Sequence, residues 1–177
     1  IVILAGAGSG KTEEFIHQTK EQRNSGRAAF FVRLEDLADV SFTDAIDHQL
    51  SSPFSEWLNG NDPGWFFLDA VDELKLRGKR LDTAVRSLAK ALQHALDRAH
   101  IIISSRPTDW DWRTDPSSLA DRLRPLDQRF NPAELDRDNA LMAPLLERRD
   151  RQADQNTQNR DPFEVRTFRI APLDDDQ

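Results

Sequence analysis

A glycine-rich segment between an apolar run and a polar helix is the feature that most constrains the fold of this chain. Residues 5–12 read Ala-Gly-Ala-Gly-Ser-Gly-Lys-Thr. They follow residues 1–4, a continuous apolar run typical of a strand buried on both faces, and they open a predicted helix over residues 11–24. The pattern Gly-x-x-x-x-Gly-Lys-Ser/Thr describes the segment, with the small residue Ala5 in the place of the first glycine.

This segment has the chemistry of a phosphate-binding loop. Its glycines let several backbone N–H groups point inward at anionic oxygens, and the following helix directs its positive dipole end to the same place. The lysine adds a full charge near the outer phosphates, and the threonine hydroxyl can ligate Mg²⁺. The residues expected to bind the nucleotide are Gly6, Ala7, Gly8, Ser9, Gly10, Lys11 and Thr12.

Two other interpretations of the loop are weaker. A dinucleotide-binding fingerprint, Gly-x-Gly-x-x-Gly, fits Gly6 and Gly8 but has Lys11 at its third position, so it fails. A flexible turn with a solvated lysine does not explain why Gly-Lys-Thr stands intact between a strand and a helix.

The rest of the chain alternates between strand-like and helix-like segments. Further strands are predicted over residues 28–34, 65–68, 101–104 and 165–170. A helical stretch over 41–58 is expected to break at Pro53, and an amphipathic helix is predicted from apolar residues at helical spacing, Leu81, Ala84, Val85, Leu88, Leu92, Ala95 and Leu96. Strands that alternate with helices predict an α/β fold with a mostly parallel, five-stranded sheet. We expect a single domain over residues 1–177, with a charged insertion at about 108–162 whose helical pattern includes Leu141, Leu145 and Leu146. Within it, residues 147–162 contain only Ala153 as an apolar side chain and are expected to form a mobile surface segment.

Acidic residues follow the third predicted strand. Asp69 stands at its carboxyl end, where ligands bind in open α/β sheets, and it can hold the Mg²⁺ that bridges the phosphates. Asp72 and Glu73 lie just beyond, and one of them can orient a water for attack on the terminal phosphate, with Asp72 favoured. The alternative is that Asp69 simply ends a strand and the other two acids cap the next helix.

Polar residues also end the fourth predicted strand. Arg106 follows Ser104 and Ser105, and its charge could sense or stabilise a terminal phosphate. The alternative roles are a salt bridge at the rim for Arg106 and a simple turn of the chain for the two serines.

Together these motifs resemble a NACHT-type ATPase, one of the signal-transduction ATPases with numerous domains (STAND). The most telling segment is residues 69–73, Asp-Ala-Val-Asp-Glu, which matches the second motif of that family at each position. Ser105, Arg106 and Pro107 resemble its third motif, whose arginine has a sensing role. Residues 168–173 resemble the strand and Pro-Leu turn that lead into a helical lid, and the chain would then be truncated before that lid.

The resemblance covers residues 1–107 and 163–177 and implies a three-layer P-loop NTPase fold. The first, third and fourth strands would adjoin, with Thr12 and Asp69 as metal ligands and Asp72, Glu73 and Arg106 as catalytic residues. It also implies ATP with Mg²⁺, in agreement with the lack of an Asn-Lys-x-Asp guanine-reading motif. Members usually act as ligand-sensing switches that form homo-oligomers, often in immune or antiviral defence.

Composition excludes several other classes of protein. The chain has 177 residues, no cysteine and a net charge of −7, which exclude disulfides and argue against a nucleic-acid surface. Its longest apolar runs are too short for a membrane span. The lack of cysteine allows a reducing compartment, and the expected location is the cytoplasm. The four histidines share no metal-ligand spacing. Because the chain starts inside a strand, without Met or a signal-peptide pattern, we expect it to be a piece of a longer protein.

Three functions remain open at this stage. The first is a slow, Mg²⁺-dependent ATPase that times a switch, and the second is a nucleotide-gated interaction module with little turnover. The third is a P-loop kinase of small molecules, whose arginine-rich lid would have to come from residues 108–162. We expect Trp57 and Trp65 to be core residues, and Trp110 and Trp112 to pack on the sheet rather than stack on adenine.

Overall fold

A parallel five-stranded sheet with helices on both faces makes up the fold. The computed structural model describes residues 1–92, 94–124 and 165–169. The strands, β1 to β5, are Val2–Leu4, Ala28–Arg33, Gly64–Asp69, Ala99–Ser105 and Thr167–Arg169. The α-helices of these residues, α1 to α7, are Lys11–Asn24, Leu34–Leu37, Phe42–Ala45, Ser51–Asn59, Val71–Leu76, Leu81–Leu92 and Asp115–Leu123. None of the described helices is long and apolar enough to cross a membrane.

The strand order is β2-β3-β4-β1-β5, and every pairing is parallel. This confirms the α/β class and the five-stranded parallel sheet. Strand β4 lies between β1 and β3, with Val2 opposite Ile103 and Leu68 opposite the same Ile103. The carboxyl ends of β1, β3 and β4 therefore meet at one edge of the sheet, which is where a ligand site is expected.

One face of the sheet, here called the major face, carries most of the core. Its strand residues include Val2, Leu4, Phe30, Phe66 and Ile103, all essentially buried. Helices α4, α6 and α7 contribute buried side chains to the same cluster. At its centre the rings of Phe30 and Phe66 stack with 5.2 Å between their centroids, and Trp57 lies edge-on to Phe66 at 5.0 Å. The prediction that Trp57 is a core residue is confirmed.

The opposite, minor face is covered more thinly. Its buried cluster consists of Phe15 from α1 with Ala29 and Phe67 from the sheet. Phe15 and Phe67 meet edge to face at 5.5 Å. Trp65 is only half-buried here and stacks on the exposed His100. The prediction that Trp65 is a core residue is therefore wrong, because it lies at the margin of the core.

Two predicted helix boundaries are wrong. Pro53 does not break a helix, because α4 begins at Ser51 and the proline lies in its first turn, where a backbone N–H has no partner within the helix. The helix predicted to reach Leu96 ends at Leu92. Ala95 and Leu96 are still buried, because the short 3₁₀ turn at Leu96–Arg98 turns them toward the core.

The first part of the expected insertion packs against the domain. Trp110 and Leu119 are buried in the major-face cluster, whereas Trp112 is 60% exposed. Packing of Trp110 onto the domain agrees with the prediction, whereas the same prediction for Trp112 is wrong, because its side chain faces solvent. The helical pattern that includes Leu141, Leu145 and Leu146 lies outside the described residues.

Candidate functional site

The turn between β1 and α1 depends on two glycines in the left-handed region. Gly8 has φ 71° and Gly10 has φ 79°, and Gly10 is the residue that precedes the first turn of α1. A side chain is disfavoured at both positions by the positive φ itself and not by crowding, since no atom lies within 4 Å of where their Cβ atoms would stand. The conformation leaves residues 6–10 exposed, directly above the start of the helix.

Lys11 is held across the mouth of this loop. Its Nζ donates to the carbonyl oxygens of Ala5, at 2.9 Å, and Gly6, at 2.8 Å. The ammonium group therefore stands over the exposed glycines, where it meets any anion that the loop N–H groups bind.

A chain of hydrogen bonds joins α1, β3 and β4 at the edge of the sheet. The Thr12 hydroxyl donates to Oδ2 of Asp69 at 2.6 Å, and the Ser104 hydroxyl donates to Oδ1 of Asp69 at 2.5 Å. Asp69 and Ser104 are both buried, at 4% and 0% exposure. The sequence-predicted metal pair, Thr12 and Asp69, is thus in direct contact across 57 residues of chain.

The turn after β3 is strained. Ala70, with φ 72°, is the one non-glycine residue of the described part of the chain that has a positive φ. This conformation costs an L-residue about 1–2 kcal/mol, and such outliers concentrate at functional sites. The Ala70 N–H donates to the Ser104 hydroxyl at 3.0 Å, which secures the turn.

The two acids that follow lie in different surroundings. Asp72 is buried, and Nε of Arg106 lies 2.7 Å from its Oδ2, while its buried Oδ1 has no partner among the described residues. Glu73 is exposed and lines the cleft. An arginine expected to face a phosphate is therefore held by one of the expected catalytic acids.

All the predicted site residues except Gly6 line a single cleft of about 290 Å³. Its walls are residues 7–13, Asp69, Ala70, Asp72, Glu73 and Arg106. Gly6 belongs to the same loop and accepts the Lys11 hydrogen bond. The arrangement brings a cationic loop, a carboxylate beside a hydroxyl, and an arginine to one place.

A second polar cleft of about 430 Å³ continues from the first and shares Thr12, Asp69 and Glu73 with it. Its other walls include Arg33 and Arg77, and Nε of Arg77 lies 2.6 Å from Oε2 of the buried Glu35. The sequence analysis missed these residues. One signal was present, because Arg33 ends β2 at the same edge of the sheet where Asp69 ends β3.

Larger clefts lie elsewhere but lack converging polar groups of this kind. One of about 700 Å³ runs past Trp57 and Trp65, and one of about 460 Å³ runs past Ile1 and Phe168. Volume does not identify a ligand site without a set of polar groups that fixes the ligand's orientation. The cleft at the glycine-rich loop remains the best candidate.

A magnesium–nucleotide complex suits the oxygen atoms at this cleft. The described residues contain no group of three or more His, Cys, Asp or Glu side chains that could hold a metal by themselves. Mg²⁺ usually binds through one or two protein ligands together with waters and phosphate oxygens, and the Thr12 and Asp69 oxygens supply such a pair. The unpartnered Oδ1 of Asp72 marks a further buried oxygen beside the same cleft.

Comparisons of the chain with models of known families, with curated proteins and with solved structures found no match.

Proposed function

We propose that this chain is a P-loop NTPase domain that binds ATP with Mg²⁺ and hydrolyses it slowly. The observation that carries the proposal is the contact between Thr12 and Asp69, because it brings the end of the glycine-rich loop and the acidic end of β3 to one point. These two segments are the ones whose sequences resemble the first two motifs of NACHT-type STAND ATPases.

Each part of the cleft has a role in this proposal. The backbone N–H groups of residues 6–12 and the Lys11 ammonium bind the phosphates, and the Thr12 and Asp69 oxygens would hold Mg²⁺. A bound Mg²⁺ would supply positive charge to offset that of the phosphates. Glu73 orients the attacking water, because its carboxylate is exposed in the cleft whereas that of Asp72 is buried against Arg106.

The biological role follows from the family resemblance. The domain would serve a cytoplasmic signalling or defence protein as a nucleotide-dependent switch, with ATP and ADP as its ligands and homo-oligomerisation through the parent protein as its output. The ion pair between the buried Asp72 and the partly exposed Arg106 supports slow turnover, since it occupies the arginine that would otherwise face the phosphate.

Replacement of Lys11 tests the phosphate loop. Lys11→Ala should abolish Mg-ATP binding measured by calorimetry and leave the protein folded, because the side chain contacts only loop carbonyls and the Ser9 hydroxyl. Lys20 is an exposed lysine on the same helix and provides the matched control. Lys20→Ala should bind Mg-ATP as the wild type does. Unchanged affinity in a folded Lys11→Ala protein would reject the assignment.

Phosphate release separates the candidate functions. Glu73→Gln should keep ATP affinity and lower the rate of phosphate release if the domain is an ATPase. Binding without phosphate release in the wild type would favour the nucleotide-gated interaction module. Transfer of the terminal phosphate to a small-molecule acceptor would favour the kinase, for which the adjoining cleft with Arg33 and Arg77 offers space.

A further inference from the structure

Ser104 is completely buried near the end of β4, yet its hydroxyl makes two hydrogen bonds to the turn that carries the acidic residues. It donates to Oδ1 of Asp69 at 2.5 Å and accepts the Ala70 N–H at 3.0 Å. We propose that Ser104 is a positioning residue, which fixes the Asp69 carboxylate so that Oδ2 faces the Mg²⁺–nucleotide complex. This inference rests on the proposed function.

The geometry of Asp69 supports this role. One carboxylate oxygen is engaged by Ser104 and the other by Thr12, so contacts from β4 and α1 fix the plane of the carboxylate. Mg²⁺ demands near-ideal octahedral geometry, and a ligand that is already oriented satisfies that demand without losing side-chain freedom on binding. Residues that orient a metal ligand from behind typically change metal affinity about 10–100-fold when they are removed.

The hydroxyl also joins the metal ligand to the strained turn. A serine has one proton to donate, and here it goes to Asp69, which leaves the oxygen lone pairs for the Ala70 N–H. Ala70 has φ 72°, and the bond to Ser104 helps to hold this conformation at the start of α5. One side chain of β4 therefore sets the position of Asp69 and the direction in which the chain leaves it.

The neighbouring Ser105 provides a matched control. It is also completely buried, but its hydroxyl lies 3.1 Å from the carbonyl oxygen of Arg106 and has no contact with a carboxylate. Both substitutions remove a serine hydroxyl from β4, but only the Ser104 hydroxyl contacts Asp69.

The experiment measures ATP affinity of the folded protein with Mg²⁺ and with EDTA. For Ser104→Ala we expect the gain in affinity that Mg²⁺ provides to fall about tenfold or more, while the affinity in EDTA stays within about twofold of the wild type. Ser105→Ala should keep the full gain. Ser104→Thr, which keeps a hydroxyl at this position, should show the wild-type gain in ATP affinity from Mg²⁺. Ser104→Val, whose side chain has the same shape as threonine, should not.

The outcomes separate this inference from the proposed function. If the wild-type protein binds no ATP, both the proposed function and the role of Ser104 are rejected. If Mg²⁺ raises the ATP affinity of the wild type and of Ser104→Ala by the same factor, only the role of Ser104 is overturned. The same holds if Ser104→Ala loses ATP affinity equally with Mg²⁺ and with EDTA, since that indicates a purely structural contribution. If Ser104→Ala does not fold, equal Mg²⁺ gains in the threonine and valine variants overturn the inference.

Discussion

The two faces of the sheet differ in how they are covered, although the strands between them are the same. On the major face, several helices enclose rings such as Phe30 and Phe66 completely. On the minor face of the described residues, α1 supplies the buried contact through Phe15, and neighbours such as Phe31 and Ile102 remain partly exposed. The helix that begins at the glycine-rich loop therefore packs on the less buried face, and we expect stability to come mainly from the other face.

The largest effect expected from this difference is at Phe66 on the major face. Phe66→Ala should lower the free energy of unfolding by about 3–5 kcal/mol, because it removes a ring that is fully enclosed and leaves a cavity. Denaturation by urea, followed by circular dichroism, measures the loss. A loss below about 0.5 kcal/mol, the range of surface substitutions, would show that the major face is not the stabilising one.

Substitution of the adjacent Phe67, whose side chain points to the minor face, should lower the stability less than substitution of Phe66. Phe67→Ala should lower the free energy of unfolding by about 1.5–3 kcal/mol, which is the burial term without a large cavity term, since partly exposed neighbours let solvent reach the site. The two variants differ by one position in the same strand, so the same titration compares the faces directly. Equal losses would contradict the comparison.

The smallest effect concerns Asp82 of α6, which pairs with Arg122 of α7 and with Arg86 of its own helix. Arg122 donates to Asp82 at 2.7 Å and Arg86 donates to it at 2.8 Å, and the hydrogen bond from Arg122 is the main cause that lowers the pKa of Asp82. Because these side chains are partly exposed, Asp82→Asn should cost only about 0.2–1 kcal/mol near pH 7.

The pH dependence of that effect has a definite sign. A lowered pKa in the folded state stabilises the protein above the unfolded value of about 4, and the contribution is lost as the pH falls through the lower folded value. The difference between wild type and Asp82→Asn should therefore shrink in acid. A difference that grows as the pH falls would contradict this assignment.

The sequence was sufficient for the parts of the molecule that depend on local pattern. The apolar runs predicted all five strands, and Gly8, Gly10, Lys11 and Thr12 identified the loop. The meeting of Thr12 with Asp69 could also be expected, because the carboxyl ends of parallel strands share one edge.

Long-range contacts could not be predicted in the same way. Nothing in the local pattern near Ser104 shows that its hydroxyl reaches Asp69, or that Arg106 pairs with Asp72 rather than standing free in the cleft. Pro53 misled the analysis because a proline is equally compatible with the break between two helices and with the first turn of one. Such choices depend on which elements become neighbours, which composition and periodicity do not determine.

The position of β4 between β1 and β3 has a consequence for the order in which the chain assembles. In the described residues β1 pairs only with β4 and β5, so Val2 has no strand partner until Ile103 has left the ribosome. Strands β2 and β3 pair with each other and can form earlier from shorter loops. For the proposed ATP binding we therefore expect that it is acquired late in synthesis, and that nascent chains stopped before β4 fail to bind ATP even though their glycine-rich loop is complete.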